Sequence, residues 1–179
     1  MYRVLFECCS FNIKRNIFDQ ADLRIYDLSL IPLYREDCTE AALPKPVKEF
    51  LLSIAEADRV VLCAPEFNHS MPGVLKNALD WASGTVSESV IARKPVVMMT
   101  ATCEALGGPR CLEHMRVVLD AMMARVVVVR EVIITSVHEK VRHGRLIDST
   151  ALGFACDAIR ALFHQITFSR QFDARPGLN

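Results

Sequence analysis

Continuous apolar runs alternate along the chain with segments whose apolar residues recur every three to four positions. Residues 2–9 (YRVLFECC), 23–28 (LRIYDL), 58–64 (DRVVLCA), 95–101 (PVVMMTA) and 125–135 (RVVVVREVIIT) each predict a strand. The last contains Arg130 and Glu131, where a break in the strand is expected. The third, fourth and fifth runs are nearly uninterrupted, the pattern of strands buried on both faces of a parallel sheet. Helical spacing appears between them. Residues 45–57 place Val47, Phe50, Leu51 and Ile54 on one face. Residues 72–83 do the same with Val74, Leu75, Ala78 and Leu79, and residues 108–124 with Leu112, Met115, Leu119 and Met122. A closing helix is predicted over 149–166, capped by Ser149 or Thr150. The tail from residue 169 is expected to be loose.

Strand–helix alternation of this kind predicts an α/β fold, a doubly wound parallel sheet. Five strands in this length favour the flavodoxin-like order 2-1-3-4-5 over the larger six-stranded dinucleotide fold. Ligands of such sheets bind outside the carboxyl ends of the central strands. The loops after Cys9, Ala64 and Ala101 are therefore where function is expected.

Composition narrows the picture. The 179 residues suit a single domain, 1–179, with a core of its own. There are 21 basic and 21 acidic residues, which argues against the concentrated basic face of a nucleic-acid binder. The one basic cluster, between Glu139 and Arg145, reads as a solvated turn. Mean hydropathy is +0.22, yet no segment reaches the ~18 to 20 apolar residues of a membrane span. The opening residues read as a strand and not as a secretory signal, so the expected compartment is the cytoplasm. Seven cysteines (8, 9, 38, 63, 103, 111 and 156) include no C-x-x-C pair. They read as small buried apolar residues, not as a disulfide framework or a zinc site, and no metal is expected. The adjacent pair Cys8 and Cys9 reads as accidental rather than redox-active.

The segment APEFNHSMPGVLKNALDW (64–81) is unusually rich in specific polar residues for a strand-to-helix connection. Locally, Ser70 is placed to cap the helix, Pro72 stands in its first turn, and Gly73 permits close approach. As a whole, Pro65 to Trp81 closely resembles the P-E-[YF]-N-x-S-x-P-G-x-L-K-N-A-[IL]-D-W signature of the NADPH-dependent FMN reductase family, which includes flavodoxin-like quinone, chromate and azo-dye reductases. Residues 26–37 (YDLSLIPLYRED) resemble the family's segment after strand 2, and 107–110 (GGPR) its third loop.

The resemblance implies that Pro65, Glu66, Phe67, Asn68 and Ser70 form the loop that lines the FMN ring. Backbone amides there would face the pyrimidine edge and N5, and Phe67 would supply apolar surface. Thr102 falls beside the flavin, and Gly107 with Gly108 turns the chain onto the next helix. Glu104 stands where the family commonly has Gly. Leu75, Asn77, Ala78 and Trp81 are expected to be structural. In the first loop only Ser10, Phe11 and Asn12 keep the family's phosphate-binding pattern, G-S-x-R-x-x-S-x-N. Ser10 and Asn12 are its candidate ligands, and Lys14 and Arg15 are substitutes for the missing Arg. Between Asn12 and Leu23 only residues 13–22 remain for the crossover, which is short for a parallel connection. Weakened FMN affinity or a repositioned phosphate site is the expected consequence.

The implied function is an FMN-dependent NAD(P)H oxidoreductase that takes electrons from NADPH and passes them to a quinone, free flavin, azo dye or metal oxyanion. The cofactor carries that chemistry, so no catalytic side chain is nominated. His69 reads as a solvated loop residue and Glu66 as one that shapes the loop. The resemblance also implies a homodimer or homotetramer, with 71–82 and 110–124 offering apolar helix faces. The alternative is a flavodoxin-like binding or scaffold protein that has lost its cofactor along with the first loop. An electron-transfer flavodoxin is disfavoured by the balanced charge. A nucleotide-binding domain is disfavoured by the lack of a G-x-G-x-x-G or a Gly-rich Lys-Ser/Thr loop.

Overall fold

The computed structural model describes residues 2–7, 21–39, 42–84 and 89–173. Parallel strands β1 (Tyr2–Glu7), β2 (Ala21–Ile25), β3 (Arg59–Ala64) and β4 (Pro95–Ala101) lie in the order β2-β1-β3-β4. Two short strands, β5 (Arg125–Val126) and β6 (Val132–Ile134), both pair in parallel with the outer side of β4. The continuous strand read over 125–135 is thus two strands. After a last bond from the Val127 N–H to Val96 O at 2.9 Å, residues 128–131 leave the ladder between them, with Val128 almost fully exposed. The expected break at Arg130 and Glu131 falls within that excursion, because two charged groups cannot enter a strand buried on both faces.

Every residue of β3 and β4 is buried. Their side chains alternate between two cores, as a period of two requires. Val60, Leu62, Ala64, Val96 and Met98 face a cluster made with helices α1 (Lys45–Glu56), α2 (Gly73–Ala82) and α3 (Pro109–Ala121). Val61, Cys63, Val97, Met99 and Ala101 face a second cluster. That one is made with helix α5 (Ser149–Asp173), which follows a one-turn α4 (Val137–Lys140) and a hairpin of β7 (Val141–Arg142) and β8 (Arg145–Leu146). The result is three layers, with helices on both faces of the sheet.

Several local expectations are corrected. Ser70 does not cap α2: the N-cap is Pro72, without a side-chain bond, and Ser70 lies too far upstream to reach the first amides. Nor do Ser149 and Thr150 cap α5. Asp148 Oδ1 accepts the Ala151 N–H at 2.8 Å, placing the cap one residue earlier. The same helix runs to Asp173 and takes in the start of the segment expected to be loose. Strand β2 ends at Ile25, and a 3₁₀ turn at Leu28–Leu30, capped by Asp27, occupies the end of the stretch read as strand. Cys63, Cys111 and Cys156 are buried as expected, whereas Cys103 is exposed. No helix among the described residues is long and apolar enough to cross a membrane.

Candidate functional site

The loops after β3 and β4 leave the same edge of the sheet side by side. In the first, Phe67 and Ser70 exchange backbone bonds of 2.9 and 3.0 Å, closing a two-residue hairpin turn. Its central residues, Asn68 (φ 49°) and His69 (φ 62°), are both left-handed, as the mirror-image hairpin turn demands. Neither is glycine. Asn tolerates this region and His less so, at a cost of about 1–2 kcal/mol for a residue without special stabilisation. The turn therefore needs support from outside itself.

Helix α3 supplies it at three points. Its N-cap, Gly108, has no side chain to satisfy the first amides. Glu66 fills that role from the neighbouring loop: its carboxylate, only 14% exposed, accepts the Cys111 N–H through Oε2 at 3.2 Å. Negative charge at a helix N-terminus is favourable. Arg110 Nη1 lies 3.8 Å from Glu66 Oε1 and 3.1 Å from His69 Nδ1. His69 Nδ1 is also 3.5 Å from Glu66 Oε1. One ring nitrogen cannot accept from Arg110 and donate to Glu66 at once, and the shorter contact assigns it the acceptor role. Finally, Ser70 Oγ meets His114 Nδ1 at 2.8 Å.

The two glycines of the second loop face opposite ways. A Cβ on Gly108 (φ 86°) would lie 3.1 Å from Glu66 Cβ, 3.2 Å from Thr102 Cγ2 and 3.3 Å from Thr100 Cβ. Its bare Cα is where the two loops touch. A Cβ on Gly107 (φ 75°) would collide instead with Ile133 and Thr135 on the far side. The Gly107 carbonyl accepts from Thr100 Oγ1 at 2.7 Å, inside the core. Thr102 is buried, its N–H donates to Ile134 O at 3.0 Å, and its hydroxyl accepts the Glu104 N–H at 3.0 Å.

Of the residues expected in the pocket, Pro65, Glu66, Phe67, Asn68, Ser70 and Thr102 thus come together at one edge. Gly107 belongs to the turn behind them. Phe67 is 59% exposed on the open side. Among the described residues no acceptor takes the backbone N–H of Glu66, Asn68 or His69. Ser10, Asn12, Lys14 and Arg15 lie outside the described residues, as does the crossover that follows them. His69 is not the solitary residue that the sequence suggests. Arg110 and His114 were not singled out, although their i,i+4 spacing, which puts them on one face of a helix, was a signal available for finding them.

Asn77 and Trp81 have structural work. Asn77 Nδ2 and Trp81 Nε1 each donate to Pro32 O at 2.9 Å, and Asn77 Oδ1 accepts the Tyr34 N–H at 2.8 Å. The Tyr34 ring stands edge-on to Trp81, centroids 5.1 Å apart. The polar end of α2 thereby fastens the segment after β2.

Comparison with known proteins decides the family. The model described as NADPH-dependent FMN reductase matches residues 10–139. The chain belongs to this FMN reductase family. An NAD(P)H-dependent FMN reductase of Pseudomonas aeruginosa is 35% identical over 141 residues, 78% of this chain and 76% of that protein. The quinone reductase of Escherichia coli strain K12 is 43% identical over 97 residues, 52% of this chain. That match spans about half the relative's length, 51%. Among solved structures, FerB, a flavoenzyme NAD(P)H:(acceptor) oxidoreductase from Paracoccus denitrificans, superposes with a TM-score of 0.79. It is 19% identical, and the superposition covers 93% of this chain and 98% of that one. At that identity the likeness concerns the fold alone, which is flavodoxin-like α/β. The family signature thus maps onto two jobs in this chain: its first half builds the crevice hairpin, and its second half fastens α2.

Proposed function

We propose that this chain is an FMN-dependent NAD(P)H oxidoreductase that passes electrons from a nicotinamide donor to a quinone or similar small acceptor. The observation that carries the reading is the hairpin Phe67–Ser70, held against α3 and touching the second loop at Gly108. It fits a flavin ring in two respects. Its exposed Phe67 offers apolar surface, and the free N–H groups of Glu66, Asn68 and His69 offer donors for the heteroatom-rich edge of such a ring. When bound, FMN would supply the two-electron chemistry, accepting hydride and releasing electrons. The protein's part is positional. Pro65, Phe67 and Asn68 present the shelf, Glu66 and Ser70 fix it to α3, and Thr102 with Gly107 and Gly108 sets the opposing loop. Donors held in place before the reaction cost no reorganisation during it.

The FMN phosphate is assigned to the first loop, with Ser10 and Asn12 as its partners. We read β5 and β6 as halves of one edge position, which makes the order 2-1-3-4-5 over a single domain. Exposed Val74, Val117 and Met123 support a homodimer or homotetramer, and the cytoplasm suits the free cysteines.

The test is direct. Purified protein mixed with FMN should yield a yellow complex that NADPH bleaches and a quinone restores. A colourless protein whose melting temperature ignores FMN would favour the scaffold reading. Replacing Pro65–Asn68 by glycines should abolish flavin uptake; unchanged uptake would place the ring elsewhere.

A further inference from the structure

The hairpin β7–β8 carries a pairing that its own stability does not favour. Arg142 and Arg145 stand directly opposite each other across the antiparallel ladder, as do Val141 and Leu146. Residues opposite in such a pair share a face. Leu146 is buried and Val141 packs on the core, so both arginines turn outward, and both are exposed. Their Cα atoms are about 5 Å apart, and like charges at that spacing destabilise a sheet. Neither arginine forms an ion pair with a carboxylate among the described residues. The nearest acids in sequence are Glu139 and Asp148, each three positions from an arginine; His138 Nε2 lies 3.8 Å from Glu139 Oε1, and Asp148 Oδ1 accepts the Ala151 N–H.

The hairpin also borders the candidate site. The Val137 N–H at its base donates to Thr102 O at 3.0 Å, and Thr102 belongs to the second crevice loop. Lys140 Nζ donates to Thr135 Oγ1 at 2.9 Å, and Thr135 packs on Gly107 of that same loop. Two guanidinium forks are thus carried on one face of a hairpin whose base is bonded to the second crevice loop. Arginine forks match the geometry of phosphate oxygens.

We propose that Arg142 and Arg145 clamp a phosphate monoester, namely the 2′-phosphate of the electron donor, and so select NADPH over NADH. The proposal rests on the reductase reading above. The phosphate of FMN is the other source of this chemistry. The hairpin follows β6, which lies three strand positions from β1, or about 14 Å, whereas the loop assigned to that phosphate follows β1.

The experiment titrates the full chain, with FMN added, against adenosine 2′,5′-bisphosphate, 5′-AMP and inorganic phosphate by calorimetry at fixed ionic strength. The bisphosphate should bind about tenfold or more tighter than 5′-AMP. In the Arg142→Gln/Arg145→Gln variant that ratio should fall to near one, with 5′-AMP binding and thermal stability retained. Equal binding of the two nucleotides, or a ratio that survives in the variant, overturns the clamp. So does inorganic phosphate competing as well as the bisphosphate, since the pair would then be a general anion patch. A drop in FMN affinity, but not riboflavin affinity, in the variant would assign the pair to the flavin's phosphate and also overturn it. The two readings fail separately. Flavin bleached equally by NADH and NADPH keeps the reductase and sinks the clamp. A colourless protein that still prefers the bisphosphate keeps the clamp and sinks the reductase.

Discussion

Two hairpins with two-residue left-handed turns stand at the same edge of the sheet, and they are built on opposite terms. The first turns through Asn68 and His69, neither a glycine, and is tied to α3 by Glu66, His69 and Ser70. The second turns through His143 (φ 50°) and Gly144 (φ 69°) and sets two arginines side by side. Backbone strain in the first is offset by bonds to another element. In the second, glycine eases the turn and the unfavourable term is charge, which no described carboxylate relieves. A strained turn held from outside is a fixed surface. A relaxed turn with two facing like charges leaves its unfavourable term to solvent, counterions or the phosphate proposed above.

The first hairpin is most sensitive at Gly108. Gly108→Val forces a side chain into Glu66, Thr102 and Thr100 at a positive φ, and should cost about 3 kcal/mol in urea unfolding. A loss well under that would mean that the two loops do not depend on their contact. Glu66→Ala removes the cap of α3 and should cost about 1 kcal/mol. Amide exchange should rise at Cys111 and in the first hairpin together, because one carboxylate serves both. Gly144→Ala puts a side chain at φ 69° and should cost a similar amount, about 1 kcal/mol, but with faster exchange confined to residues 137–146. Spread of that effect to the first hairpin would mean that the two hairpins open as one unit. Ser70→Ala loses one exposed bond to His114 and should cost about 0.5 kcal/mol. Last comes a change of opposite sign. Arg142→Glu turns a like-charge pair into an attractive one and should stabilise by about 0.5 kcal/mol, less at high salt. Lowered stability in that variant would show that the two arginines do not oppose each other.

Legibility varied with how local the deciding physics was. The buried strands β3 and β4 announced themselves, because a strand covered on both faces has no polar position to spare. Residues 65–81 were legible as a family signature, and so was the structural role of Asn77 and Trp81. The rule that places Ser before a helix was misleading at Ser70, whose hydroxyl finds His114 on a helix 44 residues away in sequence. The same rule missed Asp148 at α5 by a single residue. The basic residues from Lys140 to Arg145 read as a solvated turn because the sequence does not reveal which of them face each other. Only the ladder register brings Arg142 opposite Arg145.

The order of apolar and polar residues alone determined that this chain forms a parallel α/β sheet and pointed to the loops past the strand ends as the place to look for a site. Burial of apolar surface is additive along a chain, and its periodicity can be read without coordinates. Which loop supports which was decided only by tertiary structure. Glu66 caps a helix that begins 43 residues later, Gly108 fits between two threonines and a glutamate, and two arginines share a face. Hydrogen bonds and charges act over a few ångströms in space, so their partners exist only once the sheet has brought distant segments to one edge.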